Sequence, residues 1–198
     1  MSFTRTNISA TTAANANRLV TSANMKVGAY TVVNSGVAVH GAGFRVTVTH
    51  ATVAVGTDTL GTIVVVGTSL AGQSVTETIT PTADGTATGN TIFKVVASVT
   101  GAGWVIAGGN DTITVGTAAD AYVMDGNGEL FAVVINATTA TSCALADSAG
   151  TIGTLKASIA ENTYYYRVSC SGYLKVTHAG TSNITVIHSP SLPTYVTT

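Results

Sequence analysis

Phe44-Arg45-Val46-Thr47-Val48-Thr49-His50 alternates apolar and polar side chains. A period of two belongs to a strand with one buried face, because successive side chains leave a pleated backbone on opposite sides. Downstream, 62–66, 73–80, 92–99 and 112–115 repeat this strand-type composition. They are separated by Gly67, Gly72, Asp84-Gly85, Gly89-Asn90 and Gly108-Gly109-Asn110, residues that tolerate positive φ or stabilise turns through their side chains. A second set follows at 129–136, 142–146, 151–155, 164–170, 173–178 and 183–188. Short strands at this spacing predict an all-β chain built as sandwiches or barrels.

The polar turn residues Asp120, Asp125, Gly126, Asn127 and Gly128 place a boundary between the sets. The expected organisation is an extended N-terminal arm over 1–24, a first antiparallel β-sandwich module over 25–118 and a second over 119–198, each jelly-roll-like. The arm reading rests on Asn7, Asn15, Asn17 and Asn24 scattered among Ala, Ser and Thr with no sustained period. Such a segment is expected to order on a partner subunit. Residues 12–20 are the one stretch compatible with a short helix. There is no exact internal repeat.

Composition narrows the functional classes. Of 198 residues, 8 are Lys or Arg and 9 are Asp or Glu, so charged residues make up 9% where about 25% is usual. The basic residues Arg5, Arg18, Lys26, Arg45, Lys94, Lys156, Arg167 and Lys175 are dispersed, without the stripe that neutralises phosphates, which argues against nucleic acid as a partner. No apolar run approaches a membrane span and the N-terminus lacks a signal-peptide core, so synthesis in the cytoplasm and no membrane association are expected. With 45% hydrophobic residues and a mean hydropathy of +0.41, the chain can bury a core. Isolated sheets guard their edges with Lys, Pro or inward charges. This sequence has few such guards, so other subunits are expected to cover much of its surface.

Residues able to carry chemistry are sparse. His178 and His188 end two strand-like runs, but no HExxH or C-x₂-C spacing accompanies them or His40 and His50, so no metal site is assigned. No Ser lies in a G-x-S-x-G elbow, and Asp84-Gly85 reads as a turn. No catalytic residue and no cofactor are assigned, and an enzyme is not expected. Glu77 shares a strand face with Val75 and Ile79. It reads as a structural carboxylate bonded to a neighbouring strand or as an edge guard, the alternative being a buried group with a raised pKa. Asp125-Gly126-Asn127-Gly128-Glu129 opens like a calcium loop, but Leu130 and Asn136 occupy positions that need Gly and Glu, leaving an ordinary turn. Cys143 and Cys170 are expected as buried free thiols. The acceptor patterns at Asn7, Asn110, Asn136 and Asn183 carry no weight without secretion. Trp104 reads as a core anchor. Tyr164-Tyr165-Tyr166 is the aromatic cluster, and alternation sends Tyr165 to the face opposite Tyr164 and Tyr166. Tyr164 and Tyr166 are the candidate partner or glycan contacts, with core plus subunit contact preferred over sugar stacking.

Two regions resemble virion structural proteins of tailed bacteriophages. One runs from Val46-Thr47-Val48-Thr49-His50 through Asp58-Thr59-Leu60-Gly61-Thr62, Gly72-Gln73-Ser74-Val75-Thr76-Glu77-Thr78-Ile79, Phe93-Lys94 and Gly103-Trp104 to Asp111-Thr112-Ile113-Thr114-Val115-Gly116. The other comprises Ala146-Asp147-Ser148, Gly150-Thr151-Ile152-Gly153-Thr154-Leu155, Tyr164-Tyr165-Tyr166, Gly172-Tyr173-Leu174 and Gly180-Thr181-Ser182-Asn183-Ile184-Thr185-Val186. The resemblance implies a non-enzymatic β-sandwich component of the particle, first of all a capsid decoration or cement protein on the head surface. Its partners would be the major capsid protein and copies of itself, as a homotrimer on threefold sites. The alternatives are a tail, adaptor or fibre component, or a carbohydrate-binding module.

Overall fold

A computed structural model of the chain describes residues 2–53, 58–105, 111–137, 141–178, 180 and 183–190. The expected turn at 108–110 lies outside them. The fold is all-β, with every strand pairing antiparallel. The chain divides into two compact units, one of residues 14–38 and 43–119, the other of residues 1–13, 39–42 and 120–198.

The first unit holds β2 (Asn15–Asn24), β3 (Gly28–Tyr30), β4 (Val46–Ala51), β5 (Thr62–Thr68), β6 (Ser74–Ile79), β7 (Thr86–Thr88), β8 (Val95–Ala102) and β9 (Thr112–Thr117). They form two four-stranded sheets, β2-β9-β4-β7 and β3-β8-β5-β6. The second unit begins with β1 (Thr4–Ile8) and resumes with β10 (Ala121–Asp125), β11 (Gly128–Ala137), β12 (Cys143–Asp147), β13 (Gly150–Leu155), β14 (Thr163–Cys170), β15 (Tyr173–Thr177) and β16 (Asn183–Pro190). Its sheets are β1-β16-β11-β14 and β10-β15-β12-β13.

Counting strands within each unit from first to eighth, both units have one sheet ordered 1-8-3-6 and another ordered 2-7-4-5. That order is the jelly roll, two Greek keys closed into a double sheet. One connectivity therefore occurs twice without an exact sequence repeat, and one roll is inserted between the first and second strands of the other. The ends of the insertion are close together. Asn15 pairs with Thr117, and the Asp120 N–H donates to the Thr12 carbonyl at 2.9 Å.

The expected arm is thus two strands belonging to two different units. β1 pairs with β16 from Thr4↔His188 to Ile8↔Ile184, and β2 pairs with β9. Residues 15–20 are strand rather than helix. The physical reason is burial, since Ile8, Leu19 and Val20 are buried and close the cores that the later strands leave open. Gly67, expected in a turn, lies inside β5, where a Cβ would come within 2.1 Å of the Val95 carbonyl and 2.9 Å of the Phe93 ring.

Each core follows from alternation. In β5, Ile63 and Val65 are buried while Thr62, Val64 and Val66 are half-covered. They join Phe44, Val46, Val48, Phe93, Trp104, Ile113 and Val115 in the core of the inserted roll. Trp104 is therefore a core residue, as its flanking sequence suggests. The other core gathers Ile8, Leu130, Val133, Ile135, Leu145, Leu174, Val176, Ile184 and Val186. Ala42 belongs to this second core, so the 39–42 segment returns to the roll that carries the chain ends. Among the described residues, no helix is long and apolar enough to cross a membrane.

Candidate partner-binding face

The site begins with β1. Ile8 is buried in the core, so by strand parity Phe3, Arg5 and Asn7 leave the opposite side of the sheet. Register carries that outward face across all four strands. Arg5 pairs with Ile187, Ile187 with Ala132 and Ala132 with Tyr165. The next outward row runs Asn7, Thr185, Val134 and Thr163.

At one end of the face the register slips between Leu130 and Ala132 against both neighbours. Against β16 the extra residue is Phe131, whereas against β14 it lies on β14, between Tyr165 and Val168; such bulges re-aim side chains. On β14, Arg167 has φ 53°, a conformation uncommon outside glycine. The outcome is a cluster of rings. Phe3 and Phe131 have centroids 4.7 Å apart, Tyr165 meets Phe131 edge-on at 5.7 Å, and the Arg167 guanidinium lies 5.4 Å from the Phe131 centroid. Tyr165 is 65% exposed and Phe3 43%, values large enough to present both to a partner.

At the other end lies an amide cluster. The Asn7 side-chain N–H group donates to Asn183 Oδ1 at 2.9 Å and reaches Thr185 Oγ1 at 3.3 Å. Asn136 donates to the same two acceptors at 3.1 and 2.9 Å. Three of the four Asn-x-Ser/Thr patterns in the sequence thus supply neighbouring asparagines. Asn183 and Thr185 show why: on a strand, Asn-x-Thr puts both polar side chains on one outward face, whether or not a glycan is attached.

Tyr164 and Tyr166 sit on the inner side. Both pack against the core, the Tyr164 hydroxyl donates to the Ala160 carbonyl at 2.9 Å, and the Tyr166 ring covers Gly153, where a Cβ would lie 3.0 Å from Cε1. The exposed ring of the triplet is Tyr165. Alternation separated the two faces of the triplet, but it carries no information on which is inside.

The remaining candidates are held in structural roles. Glu77 accepts the Asn90 N–H at 2.5 Å and the Thr91 N–H at 3.2 Å, so it is a structural carboxylate, held by the connection between β7 and β8 rather than by a neighbouring strand. In the 125–128 turn, Asn127 Oδ1 accepts the Gly172 N–H at 2.8 Å. Cys143 and Cys170 are buried free thiols, and burial pushes Cys143 up to about 11. Burial raises Cys170 as well, so neither thiol is shifted toward a reactive thiolate.

His50 is buried and bonds Asp111 Oδ2 at 3.1 Å through Nε2, while its Nδ1 accepts the Asp84 N–H at 3.1 Å. Nε2 therefore carries the proton, and both ring nitrogens are engaged. Asp111 Oδ1 also accepts the Val53 N–H at 2.9 Å, so the pair ties the chain after β4 and the turn at 84 to β9. Asp111→Ala leaves the buried His50 Nε2–H and the partly exposed Val53 N–H without their acceptor. We expect a loss of about 3 kcal/mol, read as a lowered denaturation midpoint with an unchanged m-value.

His178 and His188 follow or belong to strands of different sheets. His178 follows β15 and bonds the Gly180 carbonyl at 2.7 Å through Nδ1, while His188 in β16 bonds Thr6 Oγ1 at 3.2 Å. Burial lowers the pKa of both, with the Gly180 bond opposing it at His178. The unfolded chain then takes up protons first as pH falls, below about 6.5. The stability held by the neutral rings is present above that pH and is lost on acidification toward the depressed values, by at most about 1.4 kcal/mol per pH unit for each ring. Calorimetry between pH 7 and 5 should show the unit containing both histidines melting progressively lower, and His188→Gln should flatten the trend. A midpoint that rises on acidification contradicts it.

No family model matches the chain, and neither a search of curated proteins nor one of solved structures returns a match.

Proposed function

We propose that this protein is a non-enzymatic structural component of a tailed-phage virion, a decoration or cement protein that binds the assembled head. It would act by burying uncharged, hydroxyl-rich sheet surface against shell subunits and copies of itself. Many weak, identical contacts would stabilise the shell through mass action.

The observation that carries this reading is the state of the sheet edges. β7 (Thr-Ala-Thr) and β13 (Gly-Thr-Ile-Gly-Thr-Leu) are edge strands without a charge or a proline. On edge strand β6, Glu77 is drawn onto backbone N–H groups rather than standing as a guard. The edge strands β1, β2, β10 and β14 do carry Arg5, Arg18, Asp125 and Arg167, but the unguarded edges at β7 and β13 in a chain with 9% charged residues favour a protein that works in a covered state. The jelly-roll order supports the reading without deciding it, because capsid, lectin and enzyme domains share that architecture.

Densitometry of purified particles tests the proposal. A copy number comparable with that of the major capsid protein, together with loss of heat and low-salt resistance in particles lacking the protein, is the expected result. A few copies per particle would move the protein to the tail, as an adaptor or fibre part. Its absence from particles would end the proposal.

A further inference from the structure

We infer that the outward face of the β1-β16-β11-β14 sheet is a binding site for an acidic glycan chain. The juxtaposition is specific: the exposed rings of Phe3 and Tyr165 on either side of the half-buried Phe131, two arginines, and an amide cluster of Asn7, Asn136 and Asn183, all on one sheet.

Aromatic rings offer apolar faces to the C–H side of a sugar ring while tolerating its hydroxyls at the edge. Side-chain amides complement those hydroxyls, since each both donates and accepts. The Oδ1 atoms of Asn7 and Asn136 accept no bond from the described residues, because both side chains use only their N–H groups. From the Arg5 row to the Asn136 and Asn183 end the face measures about 14 Å along the strands, and about 14 Å across four of them. That is room for a short run of sugar rings.

Charge selects the kind of glycan. Arg5 and Arg167 are exposed, and neither makes an ion pair among the described residues. Glu129, in the row before the bulge, is the one carboxylate contributed by these four strands. A chain with only 8 basic residues places two of them beside its exposed ring cluster, which suits a sugar bearing a carboxylate. A protein partner would gain from the rings but would have to desolvate the amides and guanidiniums. A uronic or sialic acid chain satisfies both.

The site does not depend on where in a particle the protein sits, so the test uses the purified full chain. It is titrated calorimetrically with uronic-acid oligosaccharides, sialylated oligosaccharides and their carboxyl-reduced neutral counterparts. The expected result is binding of at least one acidic series, with the neutral counterpart weaker. Tyr165→Ala should weaken binding by about tenfold, and Arg5→Gln should erase the preference for the acidic form. Tyr164→Phe, on the inner side, should leave affinity unchanged. Thermal melts of the exposed-face variants should match the parent, separating lost contact from lost fold. No binding to either acidic series, equal binding of acidic and neutral forms, or indifference to Tyr165→Ala would each overturn the inference. So would a Tyr165→Ala protein that loses attachment to shells while the parent binds no glycan, since the face would then be a protein-docking surface. Absence from virions would leave the glycan result standing.

Discussion

Deleting residues 1–13 is expected to unfold the roll that carries the C-terminal half and to leave the inserted roll intact. β1 contributes the full register from Thr4 to Ile8 along β16, and Ile8 is fully buried. Thr12 adds a second attachment, accepting the His178 N–H through Oγ1 at 2.8 Å and donating its own N–H to the His178 carbonyl at 3.1 Å. Losing the Ile8 side chain alone costs about 2–5 kcal/mol. Losing the ladder and baring the apolar edge of β16 adds to that, and a domain holds only about 5–15 kcal/mol in total. In calorimetry, one of two transitions should disappear or fall by more than about 10 °C while the other stays in place. A free arm would have no such effect, so unchanged transitions would restore the arm reading.

Phe44→Ala should act as strongly on the other roll. Phe44 and Phe93 are both fully buried and are joined by a reciprocal pair of backbone bonds, each 2.9 Å. The pair stands in the core shared by the two sheets of the inserted roll, and β5 accommodates Phe93 by placing Gly67 against its ring. A Phe to Ala change at such a position costs about 3–5 kcal/mol through lost burial and the cavity that remains. The inserted roll's transition should drop by at least about 12 °C. Val53→Ala, at a side chain 63% exposed, should stay within about 0.5 kcal/mol of the parent.

The strands that alternate cleanly were legible. β4, β6 and most of β14 declare themselves by period two, and the Gly and Asp-Gly punctuation separated them. β10 was hidden because Ala121, Tyr122, Val123 and Met124 are all buried, which abolishes alternation and leaves only the neighbouring turn residues to read. β2 was hidden because its register against β9 slips twice, between Asn15 and Val20 and between Val20 and Ala23, so its apolar residues keep no fixed period. The interleaving of the two rolls lies beyond any local pattern, since it depends on Thr4 meeting His188.

The candidate face divides in the same way. The separation of Tyr165 from Tyr164 and Tyr166 is a local property and was visible. Its assembly with Phe3, Phe131 and Arg167 requires strands from both ends of the chain and a bulge at Phe131, and none of these leaves a local trace. The asparagine cluster did have a signal, in the repeated Asn-x-Ser/Thr pattern, but that pattern reads first as a glycosylation acceptor and only through pairing as a surface ladder.

The interleaved pair of jelly rolls is tested most directly by expressing residues 14–119 alone and recording its amide spectrum and thermal unfolding. Because Asn15 and Thr117 are paired within that segment, the fragment should give dispersed resonances and a single cooperative transition close to that of the same roll in the whole chain. A collapsed spectrum without cooperative melting would contradict the division into an inserted and an enclosing roll.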